Sequence, residues 1–185
     1  PRLWHRRCDG NCSHDSNGQR YTSVLIFERK RIESKFKKLV YVDNDARMQA
    51  FGEFVFGKAR GKNNAIVINW NWGIGLGMIL NGTIYNGTTG FAGEFSHIKM
   101  VEDGILCICG KSGCLETIAS ANTLIRYAKE GVENNVVTQL KEMVDKGKEL
   151  SVENIIKAAK AGDEFSISIL SKVGMALGKG LSYII

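Results

Sequence analysis

His97, Cys107, Cys109 and Cys114 follow one another as H-x9-C-x-C-x4-C, and no other feature restricts so tightly what this chain can fold into. Three thiols and one imidazole at this spacing are the ligand set of a closed, tetrahedral zinc site. Thiolate and imidazole are borderline-soft donors, and zinc imposes no geometry beyond the one they supply. A segment that carries all four ligands has to double back on itself. The glycines at 104, 110 and 113 permit the sharp turns this needs. Four protein ligands leave no open position for a reactive water, so such a metal is structural. It makes the 97–114 segment a rigid clip and holds His97 firmly.

The remaining bulk properties are those of an ordinary folded domain. Apolar residues make up 44% of 185 positions and there is a single proline, which excludes a disordered chain. No apolar run approaches the roughly 20 residues that span a bilayer. Pro1–Arg7 lacks the apolar core of a signal peptide. With its thiols committed to a metal, the chain reads as cytoplasmic, without a membrane partner. The formal charge of +6 is concentrated in the first 62 residues, where basic side chains outnumber acidic ones two to one. No recognition-helix pattern accompanies that charge, so it reads as a solvated surface rather than a nucleic-acid contact. His5, Cys8, Cys12 and His14 form a second conceivable metal set, but no glycine-shaped loop joins them.

Periodicity predicts an amphipathic helix over 22–39 that enters a strand at Leu39–Val42. A helix over 46–59 follows, capped by Asn44 or Asp45, with Met48, Phe51, Phe54 and Val55 on one face. Strands are expected at 65–70 and 76–80, then a hairpin at Asn81-Gly82 into a third strand at 83–85. Another short strand is expected at 95–101. Beyond the clip the chain turns helical, over 115–120, 122–130, 136–146, 151–161 and 164–184. Ser151 with Asn154 forms a partial capping box, and Gly162-Asp163 reads as a stop followed by a new N-cap. Strands first and helices later indicate an α/β fold with a mixed sheet.

Three groups of residues could carry chemistry. Asp45 lies where a strand passes into a helix, and its carboxylate could accept a proton from a substrate hydroxyl or simply cap the helix. Gly73 and Gly75 shape a turn that would let backbone approach a phosphate, although no helix follows them as in a dinucleotide fingerprint. Glu94 and Glu116 flank the clip. Two carboxylates beside a fixed imidazole suit a polyol, whose hydroxyls need several directional acceptors.

Gly93-Glu94-Phe95-Ser96-His97, followed by the run Cys107–Ser120, resembles the signature of the ROK family, which groups sugar-responsive bacterial repressors with sugar kinases. Val42–Ala46 resembles that family's Asn-Asp motif, and Gly73–Gly82 its glycine turn and hairpin. Order and spacing agree from Ser23 to Ile185, whereas residues 1–21 do not follow the pattern. The resemblance implies an actin-like ATPase (ribonuclease H-like) fold of two lobes that close on a sugar. Residues 1–43 would be a remnant of the first, smaller lobe. Residues 44–185 would be the larger lobe, carrying the zinc loop 97–114 and truncated at its C-terminus.

By motif match, Asn44, Asp45, Glu94, His97 and Glu116 would contact the sugar, while His97, Cys107, Cys109 and Cys114 hold zinc. In a kinase Asp45 would be the catalytic base, with ATP and magnesium as cofactors. In a repressor, DNA would be bound through an N-terminal module absent from this chain. A homo-oligomer is expected in either case. Kinases of the family place Gly-Thr before the glycine turn, where this chain has Asn71-Trp72, and they begin with an Asp-Gly-Gly-Thr loop that it lacks. The expectation is therefore the sugar-sensing part of a repressor. The alternatives are a glucose or N-acetylhexosamine kinase and a degenerate sugar-binding protein without catalysis.

Overall fold

A computed structural model describes residues 19–40, 43–88, 90 and 92–185, with backbone alone for 19–27. The His5, Cys8, Cys12 and His14 set lies outside the described residues, as do Tyr41 and Val42 of the expected strand at 39–42. Two compact units emerge. One comprises the described residues up to Val67 together with Leu76–Gly93, and the other Ile68–Gly75 with Glu94–Ile185.

In the first unit, α1 (Gln19–Phe36) ends where Lys37 takes a left-handed φ of 50°. Glu33 sits near that end, accepting from Arg29 Nε and from the Val40 N–H, both at 3.1 Å. The next helix, α2 (Asp45–Phe56), starts on Asn44, whose Oδ1 accepts the N–H groups of Ala46 and Arg47. Its fully buried residues are Ala46, Arg47 and Ala50. The expected face of Met48, Phe51, Phe54 and Val55 is only half buried. The buried side meets Gly77, where a Cβ would lie 2.3 Å from Ala50 Cβ and 2.7 Å from the Ala46 carbonyl oxygen. Backbone approaches helix so closely there that only small residues fit the contact.

Strands β1 (Ala65–Trp70), β2 (Ile74–Leu80) and β3 (Thr83–Ile84) lie in that order in one sheet. Ile74, Leu76 and Ile79 of β2 are buried. The β2–β3 hairpin is antiparallel, pairing Ile79 with Ile84 and Leu80 with Thr83. Asn81 and Gly82 have φ of 52° and 71°, the two positive values a type I′ turn requires.

The second unit is mostly helical: α3 (Glu116–Ala119), α4 (Ala121–Glu133), α5 (Gln139–Asp145), α6 (Val152–Lys160) and α7 (Glu164–Leu181). Leu124 and Ala128 of α4, Leu140 of α5, Ile155 and Ala158 of α6, and Ile169 and Val173 of α7 form one buried cluster. Each of α4–α7 is capped by the side chain before it, namely Ser120, Thr138, Ser151 and Asp163. The start expected at 136 gives way to Thr138, which caps α5 and leaves Val137 exposed. Half of the Ser151–Asn154 box is present. Ser151 accepts the Asn154 N–H, but the Asn154 amide donates to the Glu149 carbonyl instead of reaching back. The strand expected at 95–101 is replaced by a 3₁₀ turn, Phe95–His97, with only Lys99 bridged to Cys114. Its apolar residues do not alternate, and the tight turn brings Glu94 and His97 together across three positions.

Candidate metal centre and the residues around it

The clip is built from backbone hydrogen bonds between short, irregular arms. Met100 and Val101 both donate to the Gly113 carbonyl, Gly113 to Ile105, Cys107 to Lys111, and Leu115 to Ile98. Gly113 makes the crossing possible. Its φ is +76°, and a Cβ there would sit 1.8 Å from the Val101 carbonyl oxygen, an impossible overlap. Lys111 Nζ donates to the carbonyl of His97 at 2.9 Å, tying the tip of the loop to its root.

This frame gathers the four expected ligands. One ring nitrogen of His97 and the three sulfurs all lie within 4.8 Å of one another. Cys109 and Cys114 Sγ are 3.6 Å apart, and Cys107 Sγ is 3.5 Å from His97 Nδ1. Ligands at about 2.3 Å from a tetrahedral ion are separated by roughly 3.8 Å, so the cluster has the right size for zinc.

Its electrostatics fit a cation as well. Burial and the two neighbouring thiols push Cys114 up to about 12. Burial likewise raises Cys107. At Cys109 burial also opposes ionisation, but the Lys111 N–H and the thiols of Cys107 and Cys114 outweigh it and lower the pKa. Cys109 is therefore the first of the three thiols to ionise. A divalent ion supplies the positive charge that lets all three ionise. His97 presents Nδ1 to Cys107 Sγ, and its Nε2 lies 3.8 Å from Glu94 Oε2. The residues present can hold a metal.

The other expected residues divide between the units. Asn44 and Asp45 belong to the first. There Asn44 is the cap of α2, and the exposed Asp45 accepts the Ala46 N–H at 2.8 Å. Glu94, His97 and Glu116 belong to the second, together with Gly73 and Gly75. Glu116 opens α3 and turns its carboxylate onto the glycine turn. Its Oε2 accepts the Ile74 N–H at 3.4 Å and would be 2.5 Å from a Cβ on Gly73. The turn itself is pinned by Asn71, which donates to the Gly73 carbonyl and accepts from the Ala121 N–H. Trp72, between them, is 67% exposed. Beside it, Trp70 Nε1 donates to the Ala119 carbonyl at 2.7 Å, fastening β1 to α3. Arg47, which pairs with Asp43 just ahead of the helix, escaped the sequence reading.

Among the described residues no helix is long and apolar enough to cross a membrane. The ROK family profile matches residues 28–185. The glucokinase of Halalkalibacterium halodurans is 40% identical over 151 residues, 81% of this chain and 46% of that protein. The xylose repressor of Bacillus subtilis is 34% identical over 157 residues, 85% of this chain and 37% of the repressor. The chain thus spans less than half the length of either relative. Among solved structures, a ROK family glucokinase from Streptomyces griseus, in complex with glucose and AMPPNP, superposes with a TM-score of 0.72 at 32% identity. That match covers 84% of this chain and 51% of the glucokinase. The chain belongs to the ROK family and carries part of its actin-like ATPase fold.

Proposed function

We propose that this chain is the sugar-sensing portion of a ROK transcriptional regulator. Asn44, Asp45, Glu94, His97 and Glu116 contact the sugar, and a structural zinc is held by His97, Cys107, Cys109 and Cys114. The observation that carries the choice of sensor over enzyme is the state of the glycine turn. The Ile74 N–H, a group that could bind a phosphate, faces the Glu116 carboxylate. An anion approaching Gly73 or Gly75 would meet that negative charge. The exposed indole of Trp72 adds bulk beside it and only one donor. In this reading a sugar favours one of two lobe arrangements, with residues 1–43 in the first lobe and 44–185 in the second. The shift changes the DNA affinity of an N-terminal module, in a cytoplasmic homo-oligomer. Zinc supplies rigidity, so that the imidazole and Glu94 meet the sugar already oriented.

The second reading, a sugar kinase, is favoured by the 40% identity to a glucokinase and by the presence of Asp45. There Asp45 would take the proton of the sugar hydroxyl as it attacks the γ-phosphoryl group of ATP, with magnesium neutralising charge. Full-length protein decides between the two. The sensor reading expects glucose, N-acetylglucosamine or xylose to bind by calorimetry and to change DNA affinity, without ATP turnover. Phosphorylation of any of these sugars would overturn it.

A further inference from the structure

A buried ion pair stands directly behind the Asn44-Asp45 turn. Arg47 Nε and Nη2 both donate to Asp43 Oδ1, at 2.9 and 2.5 Å, and the same oxygen accepts the Asn44 N–H at 2.7 Å. The side chains of Arg47 and Asp43 are only 9% and 14% exposed. On its other edge the guanidinium donates from Nη1 to the carbonyl of Gly90, 43 residues away, at 2.5 Å.

Two arguments say that stability alone does not account for this arrangement. Arg47 occupies the first turn of α2, where the helix macrodipole disfavours a cation. A buried ion pair also costs so much desolvation that well-packed apolar residues often stabilise a protein as well or better. What the pair does supply is geometry. A guanidinium is a rigid planar fork that can hold a carboxylate on one edge and a carbonyl on the other, which a lysine cannot do. Asp43 and Arg47 bracket Asn44 and Asp45, so the fork fixes both sides of that turn. It also fixes the turn relative to the loop around Gly90.

We propose that Arg47 is a positioning residue: by bridging Asp43 to the Gly90 carbonyl it holds Asn44 and Asp45 in ligand-binding register with the backbone at Gly90. The inference rests on the sugar-contacting role proposed for Asn44 and Asp45. Arg47 itself touches no sugar. Its removal should therefore lower affinity in a protein that is otherwise intact.

The test uses full-length protein in three forms: wild type, Arg47→Lys, and the double variant Asp43→Asn/Arg47→Met, which removes both charges at similar volume. Thermal midpoint, zinc content, hydrogen exchange and calorimetric Kd for glucose, N-acetylglucosamine and xylose are measured for each. The double variant should keep its midpoint and metal yet bind sugar about tenfold more weakly, the lower end of the scale seen when a partner orienting a metal ligand is lost. Arg47→Lys should lose exchange protection at the Ala92 amide, which donates to the Asn86 carbonyl, while α4 is unchanged, and should also bind more weakly. Wild-type affinity in either folded variant, or unaltered exchange at Ala92 in Arg47→Lys, overturns the proposal. If the double variant fails to fold, the lysine variant decides by the same two readings. If wild-type protein binds none of the sugars, the sugar reading has failed and this proposal falls with it. Binding by the wild type with unchanged variants overturns the role of Arg47 alone.

Discussion

Helices α4–α7 and the 97–114 clip belong to the same unit, yet they treat apolar side chains in opposite ways. The helices withdraw Leu124, Leu140 and Ile155 completely from water. The clip leaves Ile108 94% exposed and Leu106 70% exposed, burying Cys107 and Cys114 instead. The helices are therefore held by apolar burial, at about 25 cal/mol for each Å² removed from water. The clip has backbone hydrogen bonds, a glycine crossing and four ligand atoms. Cooperative packing is distributed over many contacts and survives partial damage. A clip closed by a metal would concentrate its stability in one place.

The largest effect that could break this comparison is metal removal. Structural zinc in small peptides binds with an apparent 10–16 kcal/mol, roughly the whole stability of a domain. Chelation, or Cys109→Ala, should take zinc from about one per chain to near none. It should abolish hydrogen-exchange protection at the Met100, Val101 and Cys107 amides while the far-ultraviolet helical signal persists. Protected clip amides in metal-free protein would mean that the loop folds without an ion.

Leu124→Ala is the converse experiment. It should cost about 2–5 kcal/mol by leaving a cavity among α4, α6 and α7, with metal content unchanged. Loss of zinc in parallel would show the two regions to be one cooperative structure.

Smaller, and pH-dependent, is the contribution of Asp163. Burial raises its pKa, but hydrogen bonds from Ser166, Gln139 and Thr138 outweigh this and hold it below the ordinary 3.8. A carboxyl with a lowered folded pKa stabilises fully above its unfolded value and loses that contribution as pH falls through the folded one. Asp163→Ala should cost about 0.5–2 kcal/mol at neutral pH and flatten the acid limb of the stability curve. Denaturant unfolding between pH 7 and about pH 2 measures both.

The least effect on folding belongs to Glu116→Gln, within about 0.5 kcal/mol, because its contact with Ile74 N–H is long. Zinc content should not move, and only sugar calorimetry on full-length protein should register the change. A large loss of stability would reassign Glu116 to holding the glycine turn.

What the sequence made legible follows the range of the forces involved. Ser151 and Asp163 act on backbone three residues away, so their caps could be read directly, whereas spacing alone does not choose between Asn44 and Asp45. The ligand set was legible because its spacing is a local constraint. Phe95–Val101 misled because a run of mixed apolar and polar residues without alternation does not separate a strand from an irregular turn. The close contact of Ala46 and Ala50 on α2 was not legible either, since its partner, Gly77, lies far along the chain. The Asp43–Arg47 spacing was visible, but nothing local points to the Gly90 carbonyl that completes the bridge.

The contact at Gly77 has a consequence for how this molecule can vary. Every residue other than glycine begins with the same β-carbon, so all of them collide with Ala50 and the Ala46 carbonyl at the first atom. Chemical similarity offers no gradient there: alanine fails for the same reason as tryptophan. A library randomised at position 77 and selected for any property of the folded protein should return glycine almost alone. Read by itself, that invariance would look like the mark of a residue that touches a ligand. Its origin would be a spacer of zero thickness, and escape would require α2 to be rebuilt at the same time.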